Sequence, residues 1–211
     1  SLFVAFFSAF AGAFTPILTA IGALGSLLGL LTRDPLALLL GAAGAGLSGL
    51  HVARTTAPHT GFEQAFGPDW QHRIPTWQSE RMLAARWAPD QRIEPPIADV
   101  RRDVVVGTHV ETNQPLLADI WQPNATTPRS GLTVLYLHGS AWHFLDKGVG
   151  TDRFIAHLAS QGHTIVDLAY TLDPNATIGE MLNDVKRAIA WIKANATDLG
   201  VDPTKIVPLG G

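Results

Sequence analysis

Cysteine is absent from all 211 residues, so disulfides, thiolate catalysis and cysteine-ligated zinc are excluded within this chain. The compartment stays open, because a cysteine-free sequence suits both cytoplasmic and exported proteins. Charge is also scarce: charged residues make up 16% against 46% hydrophobic, where an ordinary domain carries about a quarter charged. No charged side chain lies between Ser1 and Thr32, and only His51 can take charge between Pro35 and Ala53. The net charge of −3 and the lack of any Lys/Arg-rich run argue against a nucleic-acid partner. His143, His157 and His163 show no metal-ligand spacing, so no metal is expected.

What is present at the start is apolar. A helix needs roughly 20 apolar residues to cross a bilayer. The run from Ser1 to Leu31 is long enough, and Pro35–Leu50 is at the short end. Arg33-Asp34 and Pro35 separate them, so residues 1–54 read as a transmembrane helical hairpin turning at that pair. Gly12, Gly22, Gly25, Gly29, Gly41, Gly44 and Gly46 would each weaken a water-soluble helix by about 1 kcal/mol. In lipid, small residues let helices approach closely, and Gly22 to Gly29 resembles such a seam. A cleaved signal peptide is the first alternative; it lacks a basic leading segment, although Ser1 is not an initiator methionine. A buried soluble helix pair is the second. Arg33, Arg54 and Arg73 lean towards a multi-pass protein with its body on the cytoplasmic side.

Residues 55–98 form a Trp/Pro-rich juxtamembrane linker. Trp70, Trp77 and Trp87 with Phe62 and Phe66 suit the headgroup level of a membrane, or equally a linker packed on the following domain. Glu80 to Trp87 is expected to be a short amphipathic helix ended by Pro89.

Residues 99–211 alternate strand and helix. Asp103–Val110 and Leu116–Trp121 predict a hairpin around Thr112–Pro115. Leu132–Leu137 and Thr164–Leu168 are apolar runs of buried-strand length. Asp152–Ser160 predicts a helix with Phe154, Ile155, Leu158 and Ala159 on one side, ended by Gly162. Ile178–Ala194 predicts a second, with Met181, Leu182, Val185, Ala188, Ile189 and Ile192 as its stripe. Thr177 and Glu180 suggest a capping box at its start. Asp202-Pro203 turns into a last strand, Ile206–Leu209. The fold class is α/β: an antiparallel hairpin, then parallel strands with flanking helices.

His138-Gly139-Ser140-Ala141-Trp142 follows the Leu132–Leu137 strand. A loop of small residues at the carboxyl end of a buried parallel strand turns its N–H groups into the crevice where such sheets bind ligands. Those donors suit an oxyanion. The loop resembles the HGGGW-type loop of lipases and esterases, with Ser140 and Ala141 in place of two small residues. Three further segments resemble the same α/β-hydrolase esterases, those related to hormone-sensitive lipase and the feruloyl esterases. They are Ala169–Pro174 (D-Y-x-L-x-P), Asn183–Trp191 (D-x-x-x-A-x-x-W) and Val201–Gly211, which leads into G-x-S-x-G.

The resemblance covers about half the chain and implies an incomplete α/β-hydrolase sheet. Gly210 and Gly211 would open the nucleophile elbow, with the serine expected next and the acid and histidine after it. The chain is thus expected to be an inactive fragment of a membrane-anchored carboxylic-ester hydrolase needing no cofactor. Gly139, Ser140 and Ala141 would hold the oxyanion, and Trp142 would border a lipophilic ester substrate. His138, Tyr170 and Asp173 would support the loop, as would Asp167. Neither Ser48, inside an apolar run, nor Ser140, inside the loop, has the setting of a nucleophile. Two rivals stand beside this reading: a non-catalytic membrane-tethered binding module, and a peptidase or amidase on the same fold. Three Asn-x-Thr sequons at Asn124, Asn175 and Asn195 are read as coincidental, with capping roles beside the long helix.

Overall fold

The computed structural model describes residues 2–57, 61–82, 97–110, 112–139 and 141–210, with side chains from Phe14 onward. The chain divides into two compact units, one helical and one carrying the sheet.

In the helical unit, α1 (Leu2–Thr32) and α2 (Pro35–Thr56) form a hairpin. Arg33, at φ 58, makes the turn. Asp34 caps α2 by accepting from Leu36 N at 2.9 Å and Ala37 N at 3.2 Å, and Pro35 takes the first turn, where a missing N–H costs nothing. The helices touch through glycine. A Cβ added at Gly22, Gly29 or Gly41 would come within 3.0 Å of backbone atoms of the opposite helix. Ser26 Oγ donates across this seam to Leu38 O at 3.3 Å. Gly25 is less tightly enclosed, and Gly44 and Gly46 have open space instead. Only part of the expected glycine set therefore faces the partner helix. Beyond the hairpin come α3 (Gly61–Phe66) and a 3-10 turn, Trp70–Arg73, with Phe62 stacked on Trp70 at 5.1 Å.

The sheet unit begins with α4 (Thr76–Ser79). Its Trp77 packs on Gly162, where an added Cβ would lie 2.6 Å from the ring. The aromatic linker is thus split: Phe62, Phe66 and Trp70 cluster within the helical unit, and Trp77 packs within the sheet unit. The helix expected over Glu80–Trp87 lies mostly outside the described residues; its first three form a turn.

Five strands follow: β1 (Ala98–Thr108), β2 (Pro115–Pro123), β3 (Thr133–Leu137), β4 (Thr164–Ala169) and β5 (Ile206–Gly210). Their order is β1-β2-β4-β3-β5. β2 is antiparallel to β1 and β4, while β3 runs parallel to β4 and β5. The opening hairpin and the switch to parallel pairing match the pattern of the sequence. β1 begins earlier than expected, and two bulges break its register.

The sheet has a helix against each face. Leu116, Ala118, Ile120, Leu135, Val166 and Leu168 pack with α6 (Ile178–Ala194) and α7 (Ala196–Leu199). Trp121, Val134, Tyr136 and Ile165 pack with α5 (Asp152–Ser160). In α5 the buried residues are Ile155, Ala156 and Ala159, and Phe154 is exposed. The small Ala156 sits against the sheet where the larger Phe154 was expected. Leu182 is exposed as well, and Glu180 and Asp184 are buried in its helix. Thr177 caps α6 through Glu180 N, but the Glu180 carboxylate accepts from Val110 N and Arg187 instead of closing the capping box. Asn124 organises its own turn and Asn195 caps the end of α6.

Candidate active site

The loop between β3 and α5 leaves the carboxyl end of β3, beside the end of β5; Leu137 pairs with Gly210. Three of its non-glycine residues hold left-handed backbone: Ala141 (φ 53), Trp142 (φ 65) and Leu145 (φ 66). Such residues persist only where their surroundings over-determine them. His138 is buried and donates from Nδ1 to Gly139 O at 3.1 Å. Tyr170, at the end of β4, stacks its ring on His138 at 4.6 Å and donates its hydroxyl to His138 O at 2.7 Å. Burial raises the Tyr170 phenol, so it remains this donor. Asp173 N donates to Trp142 O at 2.9 Å, and Asp173 Oδ2 pairs with His143 Nδ1 at 3.0 Å.

A cavity of about 380 Å3 opens against this loop. Gly139, Ala141 and Trp142 line one wall, Gly210 another, and Ile178, Met181, Leu182 and Val185 of α6 a third. His138 and Tyr170 complete it. Six residues singled out from the sequence are brought together here: His138, Gly139, Ala141, Trp142, Tyr170 and Gly210. Asp173 is not in the lining; it ties down the loop. Ser140 and Gly211 lie outside the described residues.

Replacing Tyr170 with phenylalanine removes the bond to the His138 carbonyl but keeps the ring stack. We expect a loss of about 1–2 kcal/mol in denaturant unfolding; an unchanged midpoint would show that this hydroxyl does not hold the loop.

One cluster has no counterpart in the sequence reading. Asp184, fully buried on α6, accepts from His109 Nδ1 at 2.9 Å, Thr171 N at 3.0 Å, Thr171 Oγ1 at 2.9 Å and Arg187 at 2.9 Å. Serine-type relays need the base to meet nucleophile and acid through different ring nitrogens. Here Thr171 and Asp184 both crowd Nδ1 of His109, so the trio ties β1, β4 and α6 together without forming a triad. The available signal was two acids, Glu180 and Asp184, inside the apolar stripe of α6 with Arg187 below them.

The BD-FAE family model matches residues 118–211, the stretch that builds this cavity. The chain is 29% identical over 164 residues to esterase LipQ of Mycobacterium tuberculosis, covering 72% of this chain and 37% of LipQ. It is 31% identical over 110 residues to the probable carboxylic ester hydrolase LipM of the same organism, covering 52% and 25%. In these comparisons the sheet body is similar to α/β-hydrolase esterases. The LipQ match extends over more of the chain than this α/β-hydrolase body alone supplies. Among solved structures, the carboxylesterase EstE1 from a metagenomic library aligns at 26% identity and a TM-score of 0.48, over 56% of this chain and 38% of that one. The chain spans well under half the length of the curated esterases it matches.

Proposed function

We propose that this chain carries the oxyanion-binding half of a serine carboxylic-ester hydrolase, held at a membrane by the α1–α2 hairpin. The observation that carries the reading is the cavity shared by Gly139, Ala141 and Trp142 with Gly210. An oxyanion hole must sit beside the nucleophile, and in this family the serine follows the strand that ends in Gly210. Backbone N–H groups of Ser140 and Ala141 serve as donors, each worth about 3 kcal/mol of transition-state stabilisation. The serine, placed directly after Gly211, attacks the ester carbonyl. A histidine and an acid from residues following it move the proton. No cofactor enters this chemistry. Small-molecule esters with lipophilic groups suit the site, because Trp142, Met181, Leu182 and Val185 line it and Trp142 is exposed.

The hairpin reading has its own support. Both helices are long and apolar enough to cross a membrane, Leu24, Leu28, Leu31, Leu36 and Leu39 lie exposed, and the helices meet through glycine rather than through a leucine core. We place the domain boundaries at 1–54 for the hairpin, 55–98 for the linker and 99–211 for the hydrolase body.

In the full-length protein we expect hydrolysis of p-nitrophenyl acetate and butyrate that is lost when the residue after Gly211 is replaced by alanine. Folded full-length protein that turns over no ester would favour a non-catalytic, membrane-tethered binding module. Turnover of peptide or amide substrates alone would favour a peptidase.

A further inference from the structure

The loop between β3 and α5 is pinned twice. The first pin, Asp173 on Trp142 and His143, lies at the cavity. The second lies over the other face of the sheet. Lys147, with its side chain only 11% exposed, donates from Nζ to Asp103 Oδ1 at 2.7 Å and Asp119 Oδ1 at 3.0 Å. Next to it, Gly148 N donates to Asp167 Oδ2 at 2.7 Å. Asp119 and Asp167 stand directly opposite each other across β2 and β4, and both are buried. A bulge in β1 delivers the remaining partners. Asp103, at φ 53, turns its N–H onto Asp119 Oδ1 at 2.9 Å, and Arg102 pairs with Asp119 Oδ2 at 2.6 Å.

Holding a largely covered ammonium on the buried Asp119 is costly unless hydrogen bonds satisfy both groups, an arrangement out of proportion to a plain connection. The three left-handed residues between Ala141 and Leu145 supply the reason: that stretch needs restraint from both sides. We propose that Lys147 is a positioning residue, and that its clamp on Asp103 and Asp119, with the Gly148 amide on Asp167, holds the loop so that Gly139 and Ala141 face the cavity. The role in catalysis rests on the esterase reading; the clamp itself does not.

The groups around Asp167 are Asp119 from β2, Lys147 and Gly148 from the loop, Asp152 from α5 and Tyr136 from β3, with Arg102 and Asp103 of β1 reaching Asp119. Asp167 Oδ1 is buried without a partner. Burial, helped by the charges of Asp119 and Asp152, pushes this carboxyl from 3.8 up to about 6, against the opposing pull of Gly148 N and Lys147. The fold therefore favours protonated Asp167. Its stabilisation is full below the ordinary carboxylate range and is lost as pH rises through about 6.

Amide hydrogen exchange on the full-length protein, with ester turnover alongside, tests the clamp. In Lys147→Met we expect exchange over residues 141–150 to accelerate about tenfold or more while β4 stays protected. We expect kcat to fall between about 10- and 100-fold with KM little changed. Lys147→Arg, whose guanidinium can also bridge two carboxylates, should restore most of both. Relative to wild type, Asp167→Asn should lose less stability as pH rises from 4 to 6. Unchanged loop exchange in Lys147→Met overturns the proposal, as does equal loosening of β4. A loosened loop in a full-length protein that shows no wild-type turnover would sink the esterase reading and leave the clamp standing as a structural device.

Discussion

Asp184→Ala lowers the melting temperature of the sheet unit by more than about 10 °C in detergent solution, the largest effect expected of any single side chain here. Asp184 is fully buried, yet four hydrogen bonds converge on it. Removing it leaves His109, Thr171 and Arg187 facing a vacated buried site. Breaking a buried charged network from one side costs about 3–5 kcal/mol, against a total stability of about 5–15 kcal/mol for a domain. Arg187 keeps Glu180 at 2.8 Å, so the loss falls mainly on His109 and Thr171. Asp184→Asn, which keeps the shape, should lose less. Circular dichroism melting decides the matter: a shift of under about 2 °C would mean that the cluster adds nothing to the joint between β1, β4 and α6.

Gly41→Leu separates the helices of the hairpin, while Gly44→Leu leaves them together. A Cβ at Gly41 would collide with the backbone of Gly22, Gly25 and Ser26, whereas at Gly44 nothing lies within 4 Å. The two positions share a helix, a residue type and a change in hydropathy. Only the packing differs. Overfilling a packed contact costs about 1–3 kcal/mol or more, and here rigid backbone rather than a movable side chain stands in the way. Because the chain has no cysteine, a pair introduced at Thr19 and Gly49 reports the contact cleanly; a Cβ at Gly49 lies 3.6 Å from Thr19 Cγ2. Oxidation should cross-link the pair in the otherwise unchanged and Gly44→Leu backgrounds, and fail with Gly41→Leu. Efficient cross-linking with Gly41→Leu would refute the glycine seam.

These two cases also mark where the sequence was legible. Periodicity sufficed for Asp152–Ser160 and Ile178–Ala194, whose bounds agree with the structure, since a helix stripe is a local property. Strand positions were readable for the same reason. Which residues a helix buries depends on what it meets. Ala156 rather than Phe154 is buried in α5, and the Glu180 carboxylate meets Arg187 and the distant Val110 N instead of closing the capping box. The Asp184 and Lys147 networks join residues up to 75 positions apart, so acids inside the α6 stripe were visible in the sequence while their partners were not. Among the site residues, the loop at His138–Trp142 and the end of β5 were readable as motifs. The left-handed backbone at Ala141 and Trp142 was not, because neither residue favours it.

The central claim is that the loop after β3 and the end of β5 form the oxyanion side of a serine esterase. Incubating the full-length protein with an organophosphate such as paraoxon, then mapping the adduct by mass spectrometry, addresses it directly. One phosphoryl group on a serine immediately after Gly211, with ester turnover lost in proportion, is the predicted result. Intact folded protein with no adduct, or an adduct at any other residue, would contradict it.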